Sequence, residues 1–235
     1  YTVAMEKSTA KDLGEKAGYK LGWAQYQLKD YPAAFAAFSQ QVEDYPEGAL
    51  RADGLFMKAE CLFRQEDYEQ ALPAYLATQD AKLSSATIEV LADLHGGQSA
   101  SQLENWKQAI ALLARIPERH ADSPYLAEAY YELGWAKQNS DQEEEALKDY
   151  EQAASASRGV VGARARFMIG ELYFGKKEFP EAIRQFQRVM FGYGGENAPD
   201  EVKKWQVKAG FEAARCSEVQ IEKSKGAARA KLISD

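Results

Sequence analysis

Histidine and cysteine are almost missing from this chain, with two of each in 235 residues. His95 and His120 fall in no His-x-x-x-His or Cys-x-x-Cys spacing, so the ligand pairs that hold zinc are absent and no metal is expected. A Cys–His nucleophilic pair has equally little support. No run of about 18 apolar residues occurs, so no membrane span is expected. Clustered basic residues are scarce as well. The net charge is −7, and the pairs Lys176-Lys177 and Lys203-Lys204 read as solvated helix faces, which argues against nucleic acid as a partner. The glycine-rich "FGYGGENAP" lacks the Lys-Ser/Thr ending and preceding strand of a phosphate loop, and reads as a flexible connection. The acidic "DQEEEAL" reads as a helix N-terminus favoured by the macrodipole. Without a catalytic constellation or a cofactor motif, the chain is expected not to be an enzyme. It begins at Tyr1 rather than Met, so a removed leader or anchor is an expectation that leaves the compartment open.

What the chain has in abundance is self-similarity. "LGWA" occurs at Leu21–Ala24 and again at Leu133–Ala136. The small residue of that stretch recurs as Gly22, Ala59, Gly97, Gly134, Gly170 and Ala214, at intervals of 37, 38, 37, 36 and 44. Twelve residues after each of the first five comes Ala34, Ala71, Ala109, Ala146 and Ala182; four further on stand Phe38, Tyr75, Leu113, Tyr150 and Phe186. Apolar residues at three- and four-residue spacing make each unit two amphipathic helices joined by a short polar turn. The small residues sit where two helices approach closely. Ser123-Pro124 supplies an N-cap followed by proline at the first helical position, and Pro46 and the segment 192–200 mark further boundaries.

"YKLGWAQYQLKDYPAAFAAFSQQVEDYP" resembles the tetratricopeptide repeat, a helix–turn–helix unit of about 34 residues that stacks into a right-handed α-solenoid. "FRQEDYEQALPAY", "AYYELGWA" and "FGKKEFPEAIRQF" carry the same resemblance. "LADLHGGQSASQLENWKQAIALL" carries it least, and Gly96-Gly97 there weaken a helix by about 1 kcal/mol each, predicting a bend or very close packing. The implied fold is all-α, a single solenoid over 1–235 with units at 8–46, 47–83, 84–121, 122–156, 158–195 and 198–235. The last is incomplete, its second helix cut short near Lys225–Asp235, which implies a larger parent chain. The extra turn of each unit is placed before its first helix, as in "PEGALRADGLF". In that respect the units are similar to bacterial cell-envelope members of the family, which implies the envelope or periplasm, with the cytoplasm left open.

A second echo, "FMKAECLF" at 56–63 against "FMIGELYF" at 167–174, points to a three-unit block copied once. The same register puts Cys61 and Cys216 in one tight helix–helix slot, four repeats apart and far beyond the roughly 7 Å reach of a disulfide.

The resemblance also implies a concave face lined by the first helices. The matching positions are Tyr19, Trp23 and Tyr26; Phe56, Glu60, Phe63 and Arg64; Tyr131, Trp135 and Gln138; and Phe167, Glu171 and Phe174. Leu94, Gln98 and Gln102 would form a polar stretch between them, and Phe211 and Arg215 would extend the last unit. Aromatic side chains give large contact area at low entropic cost, so Trp23 and Trp135 are the expected anchors for a peptide or protein, with Glu60 and Glu171 meeting a Lys or Arg. The same aromatics could instead pack between repeats, and the two glutamates could pair with Arg64 or Arg164. The functional expectation is a noncatalytic binding scaffold; the alternative is a structural spacer within a longer protein.

Overall fold

A computed structural model describes residues 11–226, and among them are eleven α-helices, one short 3₁₀ turn and no strand. The chain divides into two compact units, Tyr1–Ser123 and Pro124–Asp235. In the first, α1 (Lys11–Gln27) pairs with α2 (Tyr31–Asp44), α3 (Arg51–Arg64) with α4 (Tyr68–Leu76), and α5 (Ala86–Gln102) with α6 (Trp106–Arg119). In the second, α7 (Leu126–Gln138) pairs with α8 (Glu143–Ala156) and α9 (Val160–Gly175) with α10 (Phe179–Gly192), followed by α11 (Asp200–Lys223). Within each unit every hairpin packs on the next, the arrangement of helical hairpins in an α-solenoid.

The hairpins close by one repeated device. Lys29, Glu66, Glu104, Asp141 and Lys177 all adopt the left-handed conformation, with φ between 56° and 63°. That conformation costs a non-glycine residue about 1–2 kcal/mol. Caps offset part of it: the side chains of Asp30, Asp67 and Asn105 accept from the backbone N–H of Ala33, Gln70 and Gln108 at 3.2, 3.2 and 3.3 Å. Each such cap contributes about 1 kcal/mol. In the second unit Gln142 and Glu178 occupy the cap position without a side-chain bond to the helix's own N–H groups.

The repeated small residues do what their spacing predicts. A Cβ on Gly22 would lie 2.7 Å from the Phe38 ring, on Gly134 2.7 Å from Tyr150, on Gly170 2.5 Å from Phe186 and on Gly97 2.5 Å from Leu113. Those four large side chains are fully buried, each contributing about 1.5–3 kcal/mol. At Gly96-Gly97 the outcome is close packing: α5 runs unbroken through both glycines, and a Cβ on Gly96 would sit 3.1 Å from Tyr75. Buried acids tie successive hairpins of the first unit together. Glu15 on α1 accepts from Leu50 N–H at 2.8 Å and from Gln41 Nε2 at 3.3 Å, and Asp53 on α3 accepts from Ser84 N–H at 3.0 Å.

Several local expectations need correction. Ser123-Pro124 does not open α7. That helix begins at Leu126, and its first i→i−4 bond joins Ala129 N–H to Tyr125 C=O. The residues that lengthen the second repeat, 46–50, form turns ahead of α3 rather than another turn of helix. The glycine-rich connection is anchored: Tyr193 and Ala198 are buried, the Tyr193 hydroxyl donates to Gly162 C=O at 3.0 Å, and Gly194 turns the chain at φ 90°. The cysteines, by contrast, need no correction: Cys61 and Cys216 are free, fully buried thiols. Ala214 is exposed although its register counterparts are buried, and beside it stand Val207 and the 73% exposed Phe211. This is the face on which α1, α3, α7 and α9 receive their own second helix. The second helix expected for the sixth repeat falls at 227–235, outside the described residues.

Candidate functional site

In the first unit, α1 carries Tyr19, Trp23 and Tyr26, and α3 carries Phe56, Glu60, Phe63 and Arg64. Of these, Tyr26 and Arg64 meet the Glu60 carboxylate, together with Tyr75 of α4 and His95 of α5. Glu60 is only 4% exposed. Its Oε1 accepts from the Tyr75 hydroxyl at 2.5 Å and lies 2.5 Å from His95 Nδ1; its Oε2 accepts from the Tyr26 hydroxyl at 3.3 Å. Arg64 donates from Nε to that Tyr26 oxygen at 3.0 Å and reaches Glu60 at 4.0 Å. Burial alone would push the Glu60 carboxyl up, but His95, Tyr75 and Arg64 together outweigh it and hold it below the ordinary 4.5. Burial, with Glu60 beside it, drives Tyr75 well above the usual phenol range. Phe63 stacks on His95 with centroids 4.6 Å apart. Phe56 is buried against Tyr75, and half-buried Tyr19 meets Phe38 edge-on, its hydroxyl pushed up to about 12 mainly by burial. Trp23 remains partly exposed and stands edge-on to Tyr26 at 5.9 Å.

In the second unit, α7, α9 and α11 repeat the frame with different occupants. Tyr131 is buried against Tyr150, and the Arg164 guanidinium lies 4.1 Å from the Tyr131 ring centroid. Gln138 accepts from the Tyr150 hydroxyl at 2.9 Å. Phe167 touches both Phe186 and Trp205 at 5.3 Å. Glu171 holds the position of Glu60, yet among the described residues no tyrosine or histidine is hydrogen-bonded to it. Glu212 is its acidic neighbour and Arg215 bridges the two, at 3.7 Å from Glu171 and 2.6 Å from Glu212. Burial first, then Glu212, raises the Glu171 carboxyl above its ordinary value. Arg215 also covers Phe174 at 4.2 Å. Trp135 projects from this surface, 37% exposed, because Gly134 takes the contact with Tyr150.

Glu60, Phe56 and Tyr131 therefore serve packing, while Trp23, Arg64, Trp135 and Glu171 keep access to solvent. Arg164 pairs with an aromatic ring rather than with Glu171. Leu94 is buried, Gln98 half-buried and Gln102 exposed. Reading the sequence missed His95, Tyr75 and Trp205 as members of these clusters. The available signal was register: His95 and Glu212 stand at the same offset from Gly97 and Ala214. Among the described residues no group of three or more His, Cys, Asp or Glu is arranged to hold a metal, and no helix is long and apolar enough to cross a membrane.

No curated protein matches the chain. Solved structures show the fold. MamA from Desulfovibrio magneticus RS-1 is similar with a TM-score of 0.64 at 17% identity, covering 75% of this chain and 93% of that one. PilF from Pseudomonas aeruginosa aligns with a TM-score of 0.60 at 14% identity over 95% and 98% of the two chains. A thermophilic TPR protein of Thermus thermophilus gives 0.53 at 16% identity over 84% and 99%. The tetratricopeptide repeat family model matches residues 19–85 and 131–195, one stretch in each unit and together more than half of the sequence. With those matches and the hairpin packing above, the chain belongs to the tetratricopeptide repeat family.

Proposed function

We propose that the chain is a noncatalytic scaffold that binds peptide or protein segments on the first-helix face of each unit, with Trp23 as the anchor in the first and Trp135 as the anchor in the second. The observation that carries this reading is the pairing of an absorbed glycine with an outward tryptophan. Gly134 meets the Tyr150 ring, and Trp135, next in sequence, is left 37% exposed on the first-helix face that also carries Gln138 and Glu171. A large ring held at the surface by a rigid helix loses little entropy when a partner covers it. Glu171 supports a basic side chain in the ligand, since its carboxylate is shared with one arginine instead of being enclosed like Glu60. Belonging to a family of helical-repeat proteins is consistent with this role.

The test is affinity capture with the wild-type chain and with Trp23→Ala/Trp135→Ala, comparing the bound proteins by mass spectrometry. Far-UV circular dichroism establishes that the double variant is folded. Loss of selective partners in the variant is expected. Retention of the same partners overturns the anchor assignment, and absence of any selective partner for the wild-type chain points to a structural spacer.

A further inference from the structure

On the second unit, away from Trp135 and Glu171, α9 and α10 enclose an open depression of about 600 Å³. Its wall carries Arg158 from the turn before α9, Arg166 from α9, and Arg184 and Arg188 from α10, with Phe191 and Tyr193 beside them. Such a concentration of one charge is unusual in a chain of net charge −7. Of the four arginines, Arg184 has a carboxylate partner, Glu181. Arg166 and Arg188 both donate to one neutral acceptor, Gln185 Oε1, at 3.2 and 3.5 Å. Among the described residues no carboxylate lies within ion-pair distance of Arg158, Arg166 or Arg188. The floor is rigid, because Tyr193 is buried and its hydroxyl is bonded to Gly162 C=O. The rim is apolar, with Phe191 72% exposed.

We infer that this depression binds an acidic peptide segment of a partner protein, its Asp or Glu carboxylates on Arg158, Arg166 and Arg188 and an apolar side chain against Phe191. Guanidinium forks match carboxylates in two-bond geometry, and three unneutralised forks facing one space repel each other until an anion enters. The volume exceeds what a single inorganic anion fills and suits two or three side chains. The exposed phenylalanine calls for an apolar group that such an anion lacks. A nucleic acid would need a basic stripe continuing along the surface. Instead the same unit carries the acidic run Glu143, Glu144 and Glu145 at the start of α8.

Fluorescence anisotropy with a fluorescein-labelled Asp-Glu-Phe-Asp-Glu peptide tests the inference on the whole chain. Saturable binding that weakens with added salt is expected. Arg158→Glu/Arg188→Glu, both exposed positions, should weaken it at least about tenfold, whereas Lys20→Glu in the first unit leaves it unchanged. Phe191→Ala should weaken the phenylalanine peptide several-fold and leave an Asp-Glu-Ala-Asp-Glu peptide unaffected. Absence of saturable binding, or equal affinity in the folded double variant, overturns the site. Pyrophosphate or a short oligothymidine competing as well as the peptide overturns the assignment to acidic peptide. The outcome is separable from the tryptophan-anchored face, because Trp23→Ala/Trp135→Ala should bind this probe normally.

Discussion

Replacing Glu60 with leucine removes the acceptor on which three side chains of the first unit converge. The Tyr75 hydroxyl is the worst affected: its residue is 1% exposed, and the acceptor it loses is Glu60. A buried donor left unpaired costs about 1–3 kcal/mol. Losing the charge-assisted contact to His95 costs about 1.5–3 kcal/mol, moderated because His95 keeps some access to water. Release of Glu60 itself from burial returns part of the sum. The net expectation is a loss of about 2–3 kcal/mol in urea unfolding followed by far-UV circular dichroism. The register-matched Glu171→Leu should stay within about 0.5 kcal/mol, since Arg215 retains Glu212 at 2.6 Å. Tyr75→Phe should be costly in the wild type and nearly neutral beside Glu60→Leu, the signature of a shared interaction. The pH dependence has a fixed sign. A carboxyl held below 4.5 in the folded state stabilises above that value, and the gap between wild type and Glu60→Leu should narrow as pH falls below it. A Glu60→Leu loss no larger than that of Glu171→Leu would refute the network.

Gly134→Ala gains about 1 kcal/mol of helix propensity but places its Cβ 2.7 Å from the enclosed Tyr150 ring, an overpacking of about 1–3 kcal/mol; a lower midpoint in thermal melting is expected. Gly175→Ala, with nothing within 4 Å, should not lower it. Burial pushes the Cys61 thiol up to about 12 and Cys216 to about 11, so a disulfide-exchange reagent at mildly alkaline pH should label the native chain at least about a hundredfold more slowly than the urea-unfolded one. Asp93 runs opposite to Glu60: burial outweighs Arg115 and raises its carboxyl from 3.8 to about 6. Asp93→Asn also removes the 3.3 Å ion pair to Arg115, so the shift fixes the direction rather than the size of the difference. Its stability relative to wild type should be highest at pH 8 and should fall as pH drops through 6 toward 3.8.

The helical frame was readable because it rests on short-range periodicity. Gly22, Gly134 and Gly170 announce a tight contact, and the ring that fills it follows sixteen residues later in the same hairpin. Turn chemistry at Asp30, Asp67 and Asn105 is equally local. The fate of Glu60 was not readable, since it depends on His95, which is set by the neighbouring hairpin rather than by α3. Glu171 shows how weak the residue type is as a signal: the same acid at the same position meets Glu212 and Arg215 instead. The arginine depression was invisible for a different reason. Its four cations sit on a turn and two helices with no common spacing, so only packing brings them to one wall.

The reach of these contacts along the chain has a kinetic consequence. Tyr26 and Arg64 are 38 positions apart and Glu60 and His95 are 35 apart, each about one repeat. Loop-closure entropy rises only slowly with length, so no step in assembling either unit waits for a distant segment to be found. Contacts of such short reach favour fast assembly, and a stack held by neighbours can add, drop or exchange a hairpin without losing the rest. The "LGWA" that stands at both Leu21–Ala24 and Leu133–Ala136 is the kind of trace such growth by whole hairpins leaves behind.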